Sequence, residues 1–345
     1  MAESVYIRPG EIEGSFRYLL GQCPALLADN EKQIETEKNP VENPPTCGRN
    51  NGMGDYTKKR EAELALIAKV AEQCKTAVIT GPAAARWMGL STLKWVEKVD
   101  LVLPGNSRTW GTKYRDKVYH GGILRDEETC TVKRVRSAIG VRAMFDTFRY
   151  YGRLDALVQI ESARWQHAHL TVETLLEKTE VLPQARGLKS FRGLIRGSAE
   201  TSASVLETLV RDRLLGAINY GHLTGVETIE FQVGYQIVDE LGNITVAWVD
   251  CIINQFIVVE ADGAEKTSGA MGDALSALRS ERHREKQLQN KGAVFFRVGW
   301  DDVFGPRMVR QLQGLINLNP GVRPMDGRLD IGFREWSRQI GRMFA

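Results

Sequence analysis

Cysteine is scarce and scattered in this chain. Its five cysteines, Cys23, Cys47, Cys74, Cys130 and Cys251, are odd in number and never stand as C-x-x-C. That excludes a disulfide scaffold, argues against a structural zinc site and points to a reducing compartment, the cytoplasm. Long hydrophobic runs are missing too. The most apolar stretch, Ile244 to Ala261, is broken by Asp250, Asn254, Gln255 and Glu260, whereas a spanning helix needs about 20 mostly apolar residues. No membrane partner is expected. Met1-Ala2-Glu3-Ser4 lacks the basic-then-apolar pattern of a signal peptide. Charge of one sign is also lacking: 46 Lys+Arg against 43 Asp+Glu leave a net +3. A polybasic coat protein is excluded, and any nucleic-acid binding must come from a local basic surface. Neither G-x-x-x-x-G-K-[ST] nor G-x-G-x-x-G occurs, so ATP and NAD use has no support. A G-x-S-x-G elbow is absent as well.

What is present is an ordinary globular composition, 43% hydrophobic and 26% charged over 345 residues. That length suits about two domains at roughly 100–200 residues each. Residues 1–56 are expected to be a weakly structured extension, with loop chemistry at Lys38 to Pro45 and Asn50 to Gly54 and a short helix over Ile12 to Leu20. Residues 57–183 read as a mainly helical α+β domain. Helices are expected over Lys58 to Cys74, Ala83 to Met88, Ala143 to Tyr151, Leu154 to Gln166 and Thr171 to Lys178. Short strands are expected near Thr76 to Thr80, Val99 to Leu103 and Val118 to His120. Residues 184–203 carry Arg186, Lys189, Arg192 and Arg196 among glycines and read as a basic linker with room for a short helix. Such a segment could track a phosphate backbone, or simply be solvated.

The expected fold class is α/β, and residues 204–345 carry its clearest signals. Ser204 to Leu215 reads as a helix, Glu227 to Val238, Ile244 to Asp250 and Gln255 to Glu260 as strands, and Asp239 to Asn243 as a turn. A long charged helix over Met271 to Lys291, a strand over Ala293 to Val298 and helices over Asp301 to Leu318 and Phe333 to Phe344 follow. Asp250 ends one strand. Glu260 and Asp262 end the next, two residues apart and so on one face. Three converging acids form a like-charge cluster that calls for a cation. Hard oxygen ligands of this kind suit Mg²⁺. Glu207, on the preceding helix, could add a carboxylate. Taken singly, Asp250 also reads as a turn residue and Glu260 as a strand-end surface charge.

Residues 204–303 resemble the very-short-patch-repair-endonuclease-like branch of the PD-(D/E)XK nuclease superfamily. The likeness is carried by Ser204-Val205-Leu206-Glu207, Gln236 (or Gln232), Val249-Asp250, Val259-Glu260-Ala261-Asp262-Gly263, Glu281-Arg282-His283-Arg284-Glu285-Lys286-Gln287-Leu288, Gly292 and Phe296-Arg297-Val298-Gly299-Trp300. It implies a restriction-endonuclease-like mixed sheet flanked by helices and hydrolysis of DNA with Mg²⁺, for which Mn²⁺ can substitute. Asp250, Glu260 and the carbonyl of Ala261 would hold the metal, and Glu207 would orient a second metal or a water. Where the superfamily carries a lysine, this chain has Asp262. Lys266 is then a candidate base or an ordinary solvent lysine. Arg279, Arg282 and Arg284 are candidate phosphate contacts, although Glu281 with Arg284 and Arg282 with Glu285 also make the i, i+3 pairs of a solvated face. Residues 76–178 resemble AbiE-type antitoxin regions through Gly81 to Leu90, Val99 to Pro104 and Met144 to Tyr150. The competing expectation is therefore an antitoxin-like DNA-binding regulator with a nuclease fold that no longer cuts. Cutting both strands would ask for a homodimer or two binding events.

Overall fold

A computed structural model of the chain describes residues 53–104, 114–263 and 271–343. The expected N-terminal extension and its short helix fall almost wholly outside these residues, as does Lys266. The described chain folds as two units, 53–205 and 206–343. Each unit holds one mixed sheet flanked by helices. Among the described residues no helix is long and apolar enough to cross a membrane.

The first unit runs α1 (Met53–Gln73), β1 (Val78–Ile79), α2 (Gly81–Trp87), β2 (Val99–Val102), β3 (Lys117–His120), β4 (Thr129–Val132), β5 (Val135–Ala138), α3 (Gly140–Tyr151), α4 (Arg153–Gln166), α5 (Val172–Lys178) and α6 (Leu188–Gly197). The strand order is β3-β2-β1-β5-β4. Val99, Leu101 and Val102 of β2 are fully buried, as are Ala83, Ala84 and Ala85 of α2. Small side chains there let the helix lie close to the strand.

The structure adds to the sequence reading at two places in this unit. The stretch read as a basic linker contains α6, whose Leu188, Phe191, Leu194 and Ile195 are buried beside Phe145, Leu157 and Ile160. Apolar residues at 188, 191, 194 and 195 fall at helical spacing, and the intervening glycines and arginines obscure it. The β4–β5 hairpin is an element the sequence does not announce. Its turn is made by Lys133 and Arg134 at φ 47° and 66°, positions where glycine or asparagine is the usual signal.

Asp155, in the first turn of α4, is 8% exposed. Burial pushes its carboxyl up to about 6, with Lys94 and its own backbone N–H offsetting only part of this. The native value lies above the unfolded one. The stability it contributes is therefore fully present below about pH 4 and lost as pH rises through about 6. Asp155→Asn should raise unfolding free energy at pH 8 by about 1–3 kcal/mol, and far less at pH 4. Urea titrations at the two pH values check this.

The second unit runs α7 (Val205–Asn219), β6 (Ile229–Val238), β7 (Ile244–Ile253), β8 (Ile257–Ala261), α8 (Met271–Asn290), β9 (Val294–Val298), α9 (Trp300–Val303), α10 (Arg307–Leu318) and α11 (Phe333–Met343). The helix expected over Asp301 to Leu318 is two helices, parted at Gly305-Pro306. Proline there lacks the N–H a continuous helix needs. The sheet order is β6-β7-β8-β9, with β8–β9 parallel and the other pairs antiparallel. Ile257, Val258 and Val259 are all fully buried, which is the pattern of a strand covered on both faces.

β7 and β8 are joined by Asn254, Gln255 and Phe256, the first two left-handed at φ 52° and 66°. Asn254 is fully buried. Its Oδ1 accepts the N–H groups of Glu227 (2.7 Å) and Thr228 (3.2 Å), and its Nδ2 donates to Gly225 O at 2.8 Å. Asn254→Ala should cost about 1–3 kcal/mol through the backbone groups left unpaired. Asn254→Gly should cost less than that, because glycine accepts the left-handed backbone without strain. Thermal midpoints of both variants check the order.

Candidate functional site

One rung of the second sheet is polar from edge to edge. The β8–β9 register pairs Glu260 with Arg297. The β7–β8 pairs run Ile253↔Ile257, Ile252↔Val258 and Cys251↔Val259, so the next position sets Asp250 across from Glu260. The β6–β7 pairs Phe231↔Cys251 and Val233↔Val249 bracket Gln232 and Asp250. Gln232, Asp250, Glu260 and Arg297 thus lie side by side on four strands, with the apolar rungs of Cys251–Val259 and Val249 next to them. Only Glu260 of the four is buried, Gln232 and Asp250 being half-buried and Arg297 exposed, and a buried carboxylate is retained only when partnered or used.

The ladder is broken at two of the three joints of this rung, β6–β7 and β7–β8. Gln232 has a φ of 53°. Beyond Cys251 the β7–β8 pairing stops, and the carboxylate Oδ2 of Asp250 accepts the Ala261 N–H at 3.0 Å. From Asp250 back to Ile244, β7 is paired with β6 alone. The strands part where the acids stand. Cys251, beside them, is fully buried. Burial first, then Asp250 and Glu230, holds its thiol well above the usual range. It is a core residue with no reactive thiolate.

Glu260 is 3% exposed. Arg284, from α8, grips it with both terminal nitrogens, Nη2 to Oε2 at 3.2 Å and Nη1 to Oε1 at 3.5 Å. The same Nη1 donates to Trp248 O at 2.9 Å, and Nη2 lies 3.4 Å from Glu281. Burial pushes the guanidinium pKa down, but Glu260 and Glu281 outweigh it and leave it raised. Arg297 repeats the motif toward solvent. It bonds Asp262 at 3.0 Å and Glu285 at 2.9 Å and lies 3.4 Å from Glu281. Burial lowers its pKa, but Glu285 and Asp262 more than offset this.

Glu207, on α7, accepts from Gln232 Nε2 at 3.2 Å. Of the two glutamines weighed in the sequence, Gln232 is the one on the polar rung. Gln236 is exposed, with its backbone N–H bound to Gly327 O at 2.7 Å. Arg279 and Arg282 are exposed on α8, whereas Arg284 faces the sheet. In the first unit Arg186 and Lys189 are exposed. Arg192 is tied to Thr179 Oγ1 at 2.7 Å and to Glu180 at 2.9 Å. Arg297 stands out from the sequence only as part of a strand, with no role of its own. Counting the register from Glu260 along β8 and β9 is the signal that marks it.

Among the described residues no three His, Cys, Asp or Glu side chains come together as a metal-ligand group. Magnesium is commonly held by one or two carboxylates, with waters and phosphate oxygens completing the shell. The donor chemistry of Asp250 and Glu260 fits that requirement. The obstacle is Arg284, which already neutralises Glu260. No protein-family model, curated protein or solved structure matches this chain.

Proposed function

We propose that the chain is a metal-dependent DNA endonuclease or nickase working in the cytoplasm in DNA repair or in defence against foreign DNA. The observation that supports this most is the polar rung. Asp250 and Glu260 stand together where two strands part, a place where acids persist only when partnered or used. Asp250, Glu260 and the Ala261 carbonyl would hold Mg²⁺, or Mn²⁺ in its place. The bound ion would act as a Lewis acid on a phosphate oxygen and lower the pKa of a water. Glu207, steadied by Gln232, would orient that water. Asp262 is tied to Arg297, so proton removal falls to Lys266 or to the solvent. Arg279 and Arg282, exposed on α8, would meet the DNA backbone, as would Gln236 on the edge strand and, on the first unit, Arg186, Lys189 and Arg192. Cutting both strands would take a homodimer or two successive binding events.

A second reading has an observation of its own. Arg284 balances Glu260 with no metal needed. This favours an antitoxin-like DNA-binding regulator in which the fold no longer cuts. Incubation with supercoiled plasmid in Mg²⁺, in Mn²⁺ and in chelator separates the two. Nicking that needs metal supports the nuclease; DNA binding without cleavage supports the regulator.

A further inference from the structure

We infer that Arg284 is a built-in counter-ion of the Asp250–Glu260 pair and gates it: a divalent cation reaches Glu260 only when the guanidinium leaves. This rests on reading the polar rung as a metal-binding site, and it names how that site is regulated. Three features carry it. Glu260 is nearly inaccessible, and a carboxylate so placed needs a cation beside it. Arg284 supplies one through a two-pronged grip at 3.2 and 3.5 Å. A guanidinium and a divalent ion on the same carboxylate would repel each other at a few ångströms, so only one occupies it at a time.

The third feature is an alternative seat. Glu281, one turn before Arg284 on the same helix and 31% exposed, already lies 3.4 Å from Nη2. A change of side-chain rotamer carries the guanidinium from Glu260 toward Glu281 without unfolding the helix. Arg297 also touches Glu281, so the seat is contested and the latch rests on Glu260 by default. A nucleic-acid phosphate offers Arg284 a further anionic seat, uncontested by Arg297, with two oxygens for its fork. Substrate would thereby open the site that the cation fills.

The test is calorimetric titration of Mn²⁺ into the full chain without nucleic acid, for the wild type, Arg284→Met, Arg284→Lys and Glu260→Gln. Arg284→Met should bind Mn²⁺ at least about tenfold tighter than the wild type, since a full positive charge is removed from the carboxylate. Binding should vanish in Glu260→Gln. Bound Mn²⁺ should also raise the thermal midpoint of Arg284→Met more than that of the wild type. Arg284→Lys keeps the charge but not the two-pronged grip. It should bind a few-fold tighter than the wild type, and it decides the matter if Arg284→Met does not fold. Equal Mn²⁺ affinity in the wild type and both Arg284 variants, abolished by Glu260→Gln, would overturn the latch and leave the metal site standing. No Mn²⁺ binding by any of the proteins would overturn both.

Discussion

Arg142→Met should destabilise the chain by about 3–5 kcal/mol, the usual cost of leaving a buried charge uncompensated. Arg142 is 1% exposed on α3. Its Nε bonds Asp146 Oδ2 at 2.9 Å, its Nη1 is paired with Glu128, and the same nitrogen donates to Ile123 O at 3.2 Å. Both acids are fully buried. Asp146 keeps the Thr80 hydroxyl at 2.7 Å and a longer contact to Arg149. The Glu128 carboxylate keeps only the Arg125 N–H at 3.0 Å among its described contacts. Methionine matches the apolar stem but returns none of the three interactions. Arg142→Lys should recover little, because one ammonium cannot span two carboxylates and a carbonyl. A denaturant titration of the three proteins measures the differences. A loss below about 1 kcal/mol for Arg142→Met would mean that water reaches the pair and replaces the guanidinium.

This network also shows where sequence reading stops. Arg142 and Asp146 stand four apart on a helix, a spacing the sequence displays. Nothing in the sequence says that this pair faces the core with Glu128 beneath it. The same divide runs through the second unit. Glu281 with Arg284 is legible as an i, i+3 pair. The contact that matters more, Arg284 with Glu260, joins residues 24 apart on two elements. The strands themselves are legible, because Ile257-Val258-Val259 is an unbroken apolar run ending in acids. Which glutamine joins Glu207 is not, since Gln232 and Gln236 share one strand and a left-handed residue lies between apolar positions where alternation alone gives no warning. The burial of α6, for which the sequence left room as a short helix, is hidden for a compositional reason. Its glycines and arginines outweigh four buried side chains in any local average, although those four sit at helical spacing.

The second large effect concerns chemistry. Asp250→Asn and Glu260→Gln keep the shape of each side chain and remove its charge. In the nuclease reading each should lower metal-dependent nicking by about 10²–10³-fold, the scale on which a single charge-stabilising group contributes at an active site. Glu260→Gln weakens the grip of Arg284 and should lower stability modestly. Asp250→Asn can keep its oxygen on the Ala261 N–H. Thermal midpoints measured alongside separate a lost fold from a lost reaction. A regulator would show a different pattern, with DNA binding retained and both variants indistinguishable from the wild type.

One assay tests the role of the polar rung most directly. Supercoiled plasmid, linear duplex, single strands and mismatched duplexes are incubated with the wild type, Asp250→Asn and Glu260→Gln, each in Mg²⁺, in Mn²⁺ and in chelator. The polar rung predicts nicking of at least one substrate by the wild type, silenced by chelator and lost in both folded variants. A folded wild type that cuts none of them with either metal, or cleavage that survives in Asp250→Asn and Glu260→Gln, would contradict it.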